Sequence, residues 1–151
     1  MPNWCEGTLR IRGKKENIIR LMLEGLEPVD AFGNEIAKME IDDDCIIPES
    51  SRCYIKGTFR GFVMFDEFYL DNYEDGEVIS TALDAEFAWG IDEEELQKVC
   101  KKYGVDMRIH AFERGMEFNQ IIEIIDGEVT KNEELRFDDY IWDCICPKMG
   151  G

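Results

Sequence analysis

Apolar and polar residues alternate from Trp4 to Arg12. Cys5, Gly7, Leu9 and Ile11 fall on one side, and Trp4, Glu6, Thr8, Arg10 and Arg12 on the other. A period of two predicts a half-buried strand. Gly13 interrupts it, and Lys14 to Leu26 carries Ile18, Ile19, Leu21, Met22, Leu23 and Leu26 at helical spacing, with Gly25 as a stop. Alternation returns from Cys53 to Phe65. Here Cys53, Ile55, Gly57, Phe59, Gly61 and Val63 oppose Tyr54, Lys56, Thr58, Arg60 and Phe62, which predicts one continuous strand. A third strand is predicted over Val78 to Trp89, with Ile79, Thr81, Leu83, Ala85, Phe87 and Trp89 on one side.

The second helix carries its own start and stop signals. Asp92 suits the N-cap, Glu93, Glu94 and Glu95 fill the first turn, Lys101 and Lys102 the last, and Gly104 follows. Leu96, Val99, Cys100 and Tyr103 form its apolar stripe. Val105 to Phe112 predicts a fourth strand, Ile121 to Ile125 with Asp126-Gly127 and then Glu128 onward a hairpin, and Tyr140 to Cys146 a last strand. Residues 27–50 are irregular. They contain a turn at Phe32-Gly33-Asn34, and Pro48 restricts Cys45 to Pro48 to a loop or edge strand.

The order strand, helix, strand, strand, helix, strand predicts an α+β chain. It is a ferredoxin-like βαββαβ antiparallel sheet with two helices on one face, plus an acidic insertion and a C-terminal β extension. The expected organisation is a single domain over residues 1–151. Residues 27–50 are its insertion or crossover, and residues 117–146 its C-terminal hairpin and strand.

Charge changes this picture most. The chain of 151 residues has 34 acids and 17 Lys plus Arg, for a net charge of −17. Residues 1–29 hold four acids and five bases, a net of +1. Residues 30–95 hold nineteen acids and four bases, a net of −15. Residues 96–151 hold eleven acids and eight bases, a net of −3. Such a balance argues against a DNA-coating protein and against a peripheral protein of acidic lipid, because long-range repulsion opposes both. Charged loops often serve solubility alone. The concentration of acid in one stretch points further, to carboxylates presented to a basic groove in the manner of a nucleic-acid mimic. The candidate partner-binding residues are Asp42, Asp43, Asp44, Glu49, Asp66, Glu67, Asp71, Glu74, Asp75, Glu77, Glu93, Glu94 and Glu95.

An alternative uses the outward strand positions, where basic and aromatic residues interleave: Arg10, Arg12, Tyr54, Lys56, Arg60, Phe62 and Arg108, with His110 and Phe112 beside them. Sheets of this topology can stack single-stranded bases on such a surface. The large negative charge weighs against it, since phosphate affinity is dominated by charge.

Signals for catalysis are weak. His110 is the lone histidine and stands in no nucleophile motif. Asp71 to Gly76 has three points of likeness to a calcium loop, but Tyr73 occupies a ligand position and Ala82 the place of the bidentate Glu. No Gly-rich phosphate loop occurs, and Trp4, Trp89 and Trp142 read as core or rim residues. Six cysteines lie at 5, 45, 53, 100, 144 and 146. With no basic or apolar leader at Met1-Pro2-Asn3-Trp4, a reducing cytoplasm and free thiols are expected. No metal, no cofactor and no membrane association is expected.

The opening Met1-Pro2-Asn3-Trp4-Cys5 with Thr8-Leu9 resembles the start of the YubB-type ferredoxin-domain proteins of phages and plasmids. Ile46-Ile47-Pro48-Glu49 is similar to their Ile-Pro-x-Pro-Glu segment, with Ser50 in place of the second proline. Thr81 to Trp89, the following helix, and Glu113-x-Gly115-x-x-Phe118 keep the family's order. The resemblance implies a ferredoxin-like fold and residence on a mobile element, and it carries over no catalytic residue. Together with the charge it leads to one expectation: a non-enzymatic accessory protein in the bacterial cytoplasm that inhibits a host defence nuclease, such as a CRISPR effector or restriction enzyme, through a protein partner with a basic nucleic-acid-binding groove.

Overall fold

The computed structural model describes residues 1–35, 39–42 and 44–147. In chain order these form β1 (Trp4–Lys14), α1 (Lys15–Arg20), a π-helical turn (Leu21–Gly25), β2 (Leu26–Pro28), β3 (Met39–Asp42), β4 (Cys45–Pro48), β5 (Arg52–Ile55), β6 (Gly61–Met64) and β7 (Phe68–Tyr69). There follow β8 (Val78–Ala88), α2 (Glu93–Tyr103), β9 (Val105–Glu113), β10 (Phe118–Ile125), β11 (Glu128–Arg136) and α3 (Tyr140–Asp143). The protein is α+β and its paired strands are antiparallel. Among the described residues an eight-stranded sheet runs β11-β10-β9-β1-β8-β6-β5-β2, broader than the four-strand core with its C-terminal extension read from the sequence, and a second sheet runs β3-β4-β7.

The alternation in β1 sorts the two faces. Cys5, Leu9 and Ile11 join Ile18 and Met22 from the first helical segment, Leu96, Val99 and Tyr103 from α2, and Met107, Ile109 and Ile122 from the neighbouring strands in one buried core. Trp4, Glu6, Thr8, Arg10 and Arg12 face the other way, on the side without the two helices, called here the open face. The helix α2 forms as its local signals require. The Asp92 carboxylate accepts from the Glu94 and Glu95 amides, and Gly104 takes the left-handed conformation at φ 65°.

Several expectations need correction. The helix over Lys14 to Leu26 gives way after Arg20 to a π-helical turn, and Leu26 already begins β2. Gly25 is packed there so closely that a Cβ would lie 2.8 Å from Leu21 and 2.9 Å from the Tyr103 ring. The single strand over Cys53 to Phe65 is two strands, β5 and β6. Between them Thr58 Oγ1 donates to Ile55 O at 2.7 Å and accepts from Gly61 N at 3.0 Å, while Gly57 sits at φ 96°. Trp89 leaves β8 at φ 70° and is exposed, so it does not share the inward row. Residues 27–50 are not all insertion, because Leu26–Pro28 adds an edge strand to the large sheet. The β4 segment is the middle of the small sheet. Pro48 is tolerated because β7 pairs only with Cys45 and Ile46 and leaves that end unpaired on its side. Tyr140 to Cys146 is no strand: Tyr140–Asp143 is a helical turn, and the rest is irregular.

Candidate functional site

The acids predicted to form one patch fall into groups. Asp42 ends β3 and Asp44 directly precedes β4, and Leu70 N donates to Asp44 O at 2.7 Å, which brings Asp71 beside them. Asp66 and Glu67 follow β6, and Glu74, Asp75 and Glu77 lie in the loop that enters β8 at Val78. All of these are exposed. Lys15 is set among them, 3.7 Å from Asp75, and its ammonium donates to Tyr73 O at 2.8 Å. Glu67 hydrogen-bonds the Tyr69 hydroxyl and raises its pKa. Glu49 is exposed at the opposite end of the β3–β4 hairpin. Asp43 lies outside the described residues.

Glu93, Glu94 and Glu95 are elsewhere. They open α2, which follows the Ala88 end of β8, whereas Glu74, Asp75 and Glu77 precede its Val78 end. A strand rises roughly 3.3 Å per residue, so the eleven residues of β8 hold the two groups on the order of 30 Å apart. The Glu95 carboxylate accepts from Phe59 N at 2.8 Å. The helix-start acids thus have a structural reason of their own, in that hydrogen bond and in the helix dipole. The notion of one continuous patch is corrected accordingly: Asp42, Asp44 and Asp71 lie together, Asp66 and Glu67 lie toward the Pro48 end of β4, and Glu74, Asp75 and Glu77 lie before β8.

The basic and aromatic positions also divide. Tyr54 and Phe62 face each other across β5 and β6, with ring centroids 5.8 Å apart. Although Phe62 is on the open face, it is buried: Trp4 packs edge-on at 5.9 Å and the Arg52 guanidinium lies 3.7 Å over its ring. Arg52 is held by Glu86 through contacts of 2.8 and 2.9 Å, and Arg60 stacks over Trp4 at 5.6 Å. These residues line an open groove of about 630 Å³ that also receives Glu27, Glu35 and Glu86, so its charges are mixed. Sequence reasoning missed Trp4 and Arg52 as members of this cluster; their place on strand faces was the available signal. Lys56 belongs to the turn after β5, where its amide donates to Gly25 O at 2.9 Å.

At the other end of the face Arg12 is bound to Asp106 at 2.8 and 3.1 Å, and Arg108 approaches Glu123 at 3.6 Å. Arg10 stands directly opposite Arg108, and Thr8 opposite His110. His110 Nε2 lies 3.3 Å from Asn119 Nδ2. Because an amide nitrogen only donates, Nε2 is the accepting nitrogen and Nδ1 carries the proton. Asn119, itself buried, also donates to Ile145 O at 2.8 Å and so ties the C-terminal segment over this end of the sheet.

Burial, then Arg108 and Lys131, hold the His110 pKa below its ordinary value of 6.5. An unfolded chain therefore takes up this proton before the folded one does. The stability is fully present above pH 6.5 and falls as the pH drops through that value toward the lower folded pKa. As the only histidine, it makes the effect separable: melting of the native chain at pH 7.5 and 5.5 is expected to show a loss that a His110→Gln chain lacks. Equal pH dependence of the two would show that the imidazole is not restrained.

Cys5, Cys45, Cys53 and Cys100 are buried free thiols, with burial first among the causes that push Cys5, Cys53 and Cys100 up to about 12. Among the described residues no group of three or more His, Cys, Asp or Glu could hold a metal ion, and no helix is long and apolar enough to cross a membrane. The chain matches no family model, no curated protein and no solved structure.

Proposed function

We propose that this is a non-enzymatic binding protein whose acidic end engages the basic nucleic-acid-binding groove of another protein, as a mimic of the phosphate backbone. A defence nuclease, a CRISPR effector or a restriction enzyme, is the partner class that this chemistry and the YubB-type resemblance suggest together. The observation that supports the reading is the exposure of Asp44 before β4 and of Asp66, Glu67, Asp71, Glu74 and Asp75 in the successive loops on either side of β7 and before β8, with Lys15 beside Asp75 as the nearby cation. Exposed carboxylates so grouped raise the association rate with a basic groove and compete with its nucleic acid. The strand order β9-β1-β8-β6, with α1 and α2 against one face, supports reading the centre as a ferredoxin-like core. In that reading β10 and β11 extend one edge and β5 and β2 the other.

The rival, base stacking on the open face, is weakened because Arg12 and Arg52 already have close acidic partners there. The test is inhibition of DNA cleavage by a panel of such nucleases, read with direct binding at low and high salt. Inhibition relieved by salt is expected, and it should be lost when Asp66, Glu67, Asp71 and Glu74 are all changed to Lys. A Glu93→Lys, Glu94→Lys chain should keep it. Inhibition that survives the fourfold reversal, or no engagement of any enzyme in the panel, would remove the proposal.

A further inference from the structure

The open face carries one arrangement for which the acidic end has no use. Arg10 on β1 and Arg108 on β9 are direct cross-strand neighbours, and so are Thr8 and His110, one pair along the same face. Opposite residues of this kind have Cβ atoms roughly 4.5–5.5 Å apart, and like charges so placed oppose folding. Acids outnumber bases 34 to 17 in this chain, so a partner for an arginine is easily supplied. Arg12, two residues on, has one in Asp106. Arg10 makes no ion pair among the described residues, and Arg108 reaches Glu123 only at 3.6 Å. A local conflict that the rest of the chain leaves uncorrected marks a place where something else supplies the counter-charge.

The surroundings define what that is. Thr8, Arg10, Arg108, His110 and Pro147 line an open depression of about 430 Å³. Among the described residues its side-chain donors are the two guanidinium forks, the Thr8 hydroxyl and the His110 imidazole. Paired forks match the several oxygens of a tetrahedral oxyanion better than the two of one carboxylate. A doubly negative group also relieves the repulsion between both arginines. The flanks are acidic: Asp84 stands opposite Thr8 on β8, Glu6 is the next outward residue of β1, and Glu123 stands opposite Arg108 on β10. A polyanionic strand crossing the depression would meet all three, whereas a compact ligand would meet Glu123 alone.

We propose that Arg10, Arg108, Thr8 and His110 form a binding site for the phosphate group of a small molecule, separate from the acidic end. Inorganic phosphate and adenosine monophosphate serve as probes, by calorimetry and by the rise in melting temperature that a ligand of the folded state produces. The native chain is expected to bind at least one of them beyond what matched chloride does. Arg10→Gln and Arg108→Gln should each weaken binding about tenfold, since a charged hydrogen bond contributes at that level. Arg10→Gln should melt no lower than the native chain without ligand, because the exchange removes a repulsion and breaks no ion pair among the described residues. Arg12→Gln should leave phosphate binding unchanged. Phosphate without effect while adenosine monophosphate binds would assign the site to an organic phosphate; the converse would assign it to the free ion. No binding of either probe, binding of a single-stranded oligonucleotide alone, or equal binding by an Arg10→Gln, Arg108→Gln chain would overturn the proposal.

Discussion

A Gly7→Val chain should lose the native sheet. Gly7 lies in β1 between Ala85 of β8 and Ala111 of β9. A Cβ at this position would stand 2.4 Å from His110 O and 3.0 Å from the Ala111 Cα. Both are backbone atoms of a paired neighbour, so no side-chain rotation relieves the contact, and β1 and β9 must move apart. Substitutions that force a core this way belong to the rare class costing about 4 kcal/mol or more. For a domain of this size that is a fall of roughly 10 °C or more in melting temperature. Circular dichroism melting measures it. A valine variant melting within a few degrees of the native chain would mean that the strand spacing has slack. The substitution also reaches the surface, because Thr8 with His110, and Arg10 with Arg108, face each other across these same two strands. Any variant that folds with β1 displaced should therefore lose the phosphate response together with its stability.

Glu113→Ala should destabilise the end of the sheet nearest the N-terminus. The Glu113 side chain is buried, and its carboxylate accepts from Gly115 N at 2.7 Å and Met116 N at 2.5 Å. Alanine removes both hydrogen bonds from the exposed Gly115 and Met116, a net loss of about 1–3 kcal/mol for the two. Glu113→Gln keeps one accepting oxygen and should cost less than alanine. Next to it, a Cβ on Gly115 would lie 2.2 Å from Asn3 Nδ2, and Asn3 O receives the Trp89 amide at 2.8 Å. The turn, the N-terminal segment and the exit from β8 are thus fastened together. Hydrogen exchange reads the effect directly: the amides of residues 115, 116 and 89 should exchange faster in Glu113→Ala. Unchanged protection would show that the carboxylate is not what holds the turn. This is also a physical reason for the Glu-x-Gly pattern, since the acid supplies the acceptor and the glycine leaves room for Asn3.

Elements whose determinants are local could be read directly from the chain. The α2 helix needs Asp92, three glutamates, two lysines and Gly104, all within thirteen residues of one another. The β10–β11 hairpin needs Asp126 and Gly127, which adopt φ 51° and 75° as a two-residue turn of this type demands. The break between β5 and β6 could not be read that way. The turn at 56–60 returns Phe62 to the same face as Tyr54, directly opposite it, so the period of two runs unbroken through a reversal of direction. Gly57 and Gly61 were its sole trace. At Tyr140 to Cys146 four helical residues and a short strand carry much the same apolar signal.

For function the division is sharper. Residue types alone establish an acidic chain, the stretch in which the acid is concentrated, the inward and outward rows of each long strand, and a helix that wants carboxylates at its start. They do not establish which charges meet. Eleven residues of extended β8 carry the helix-start acids far from those of the preceding loop, although both groups belong to one acidic run. Antiparallel register sets Arg10 against Arg108 although they are distant along the chain. Charge is a property of composition, whereas a site is a matter of distance. In a sheet, distance follows from strand order and register, which arise from long-range pairing and from close contacts such as that at Gly7.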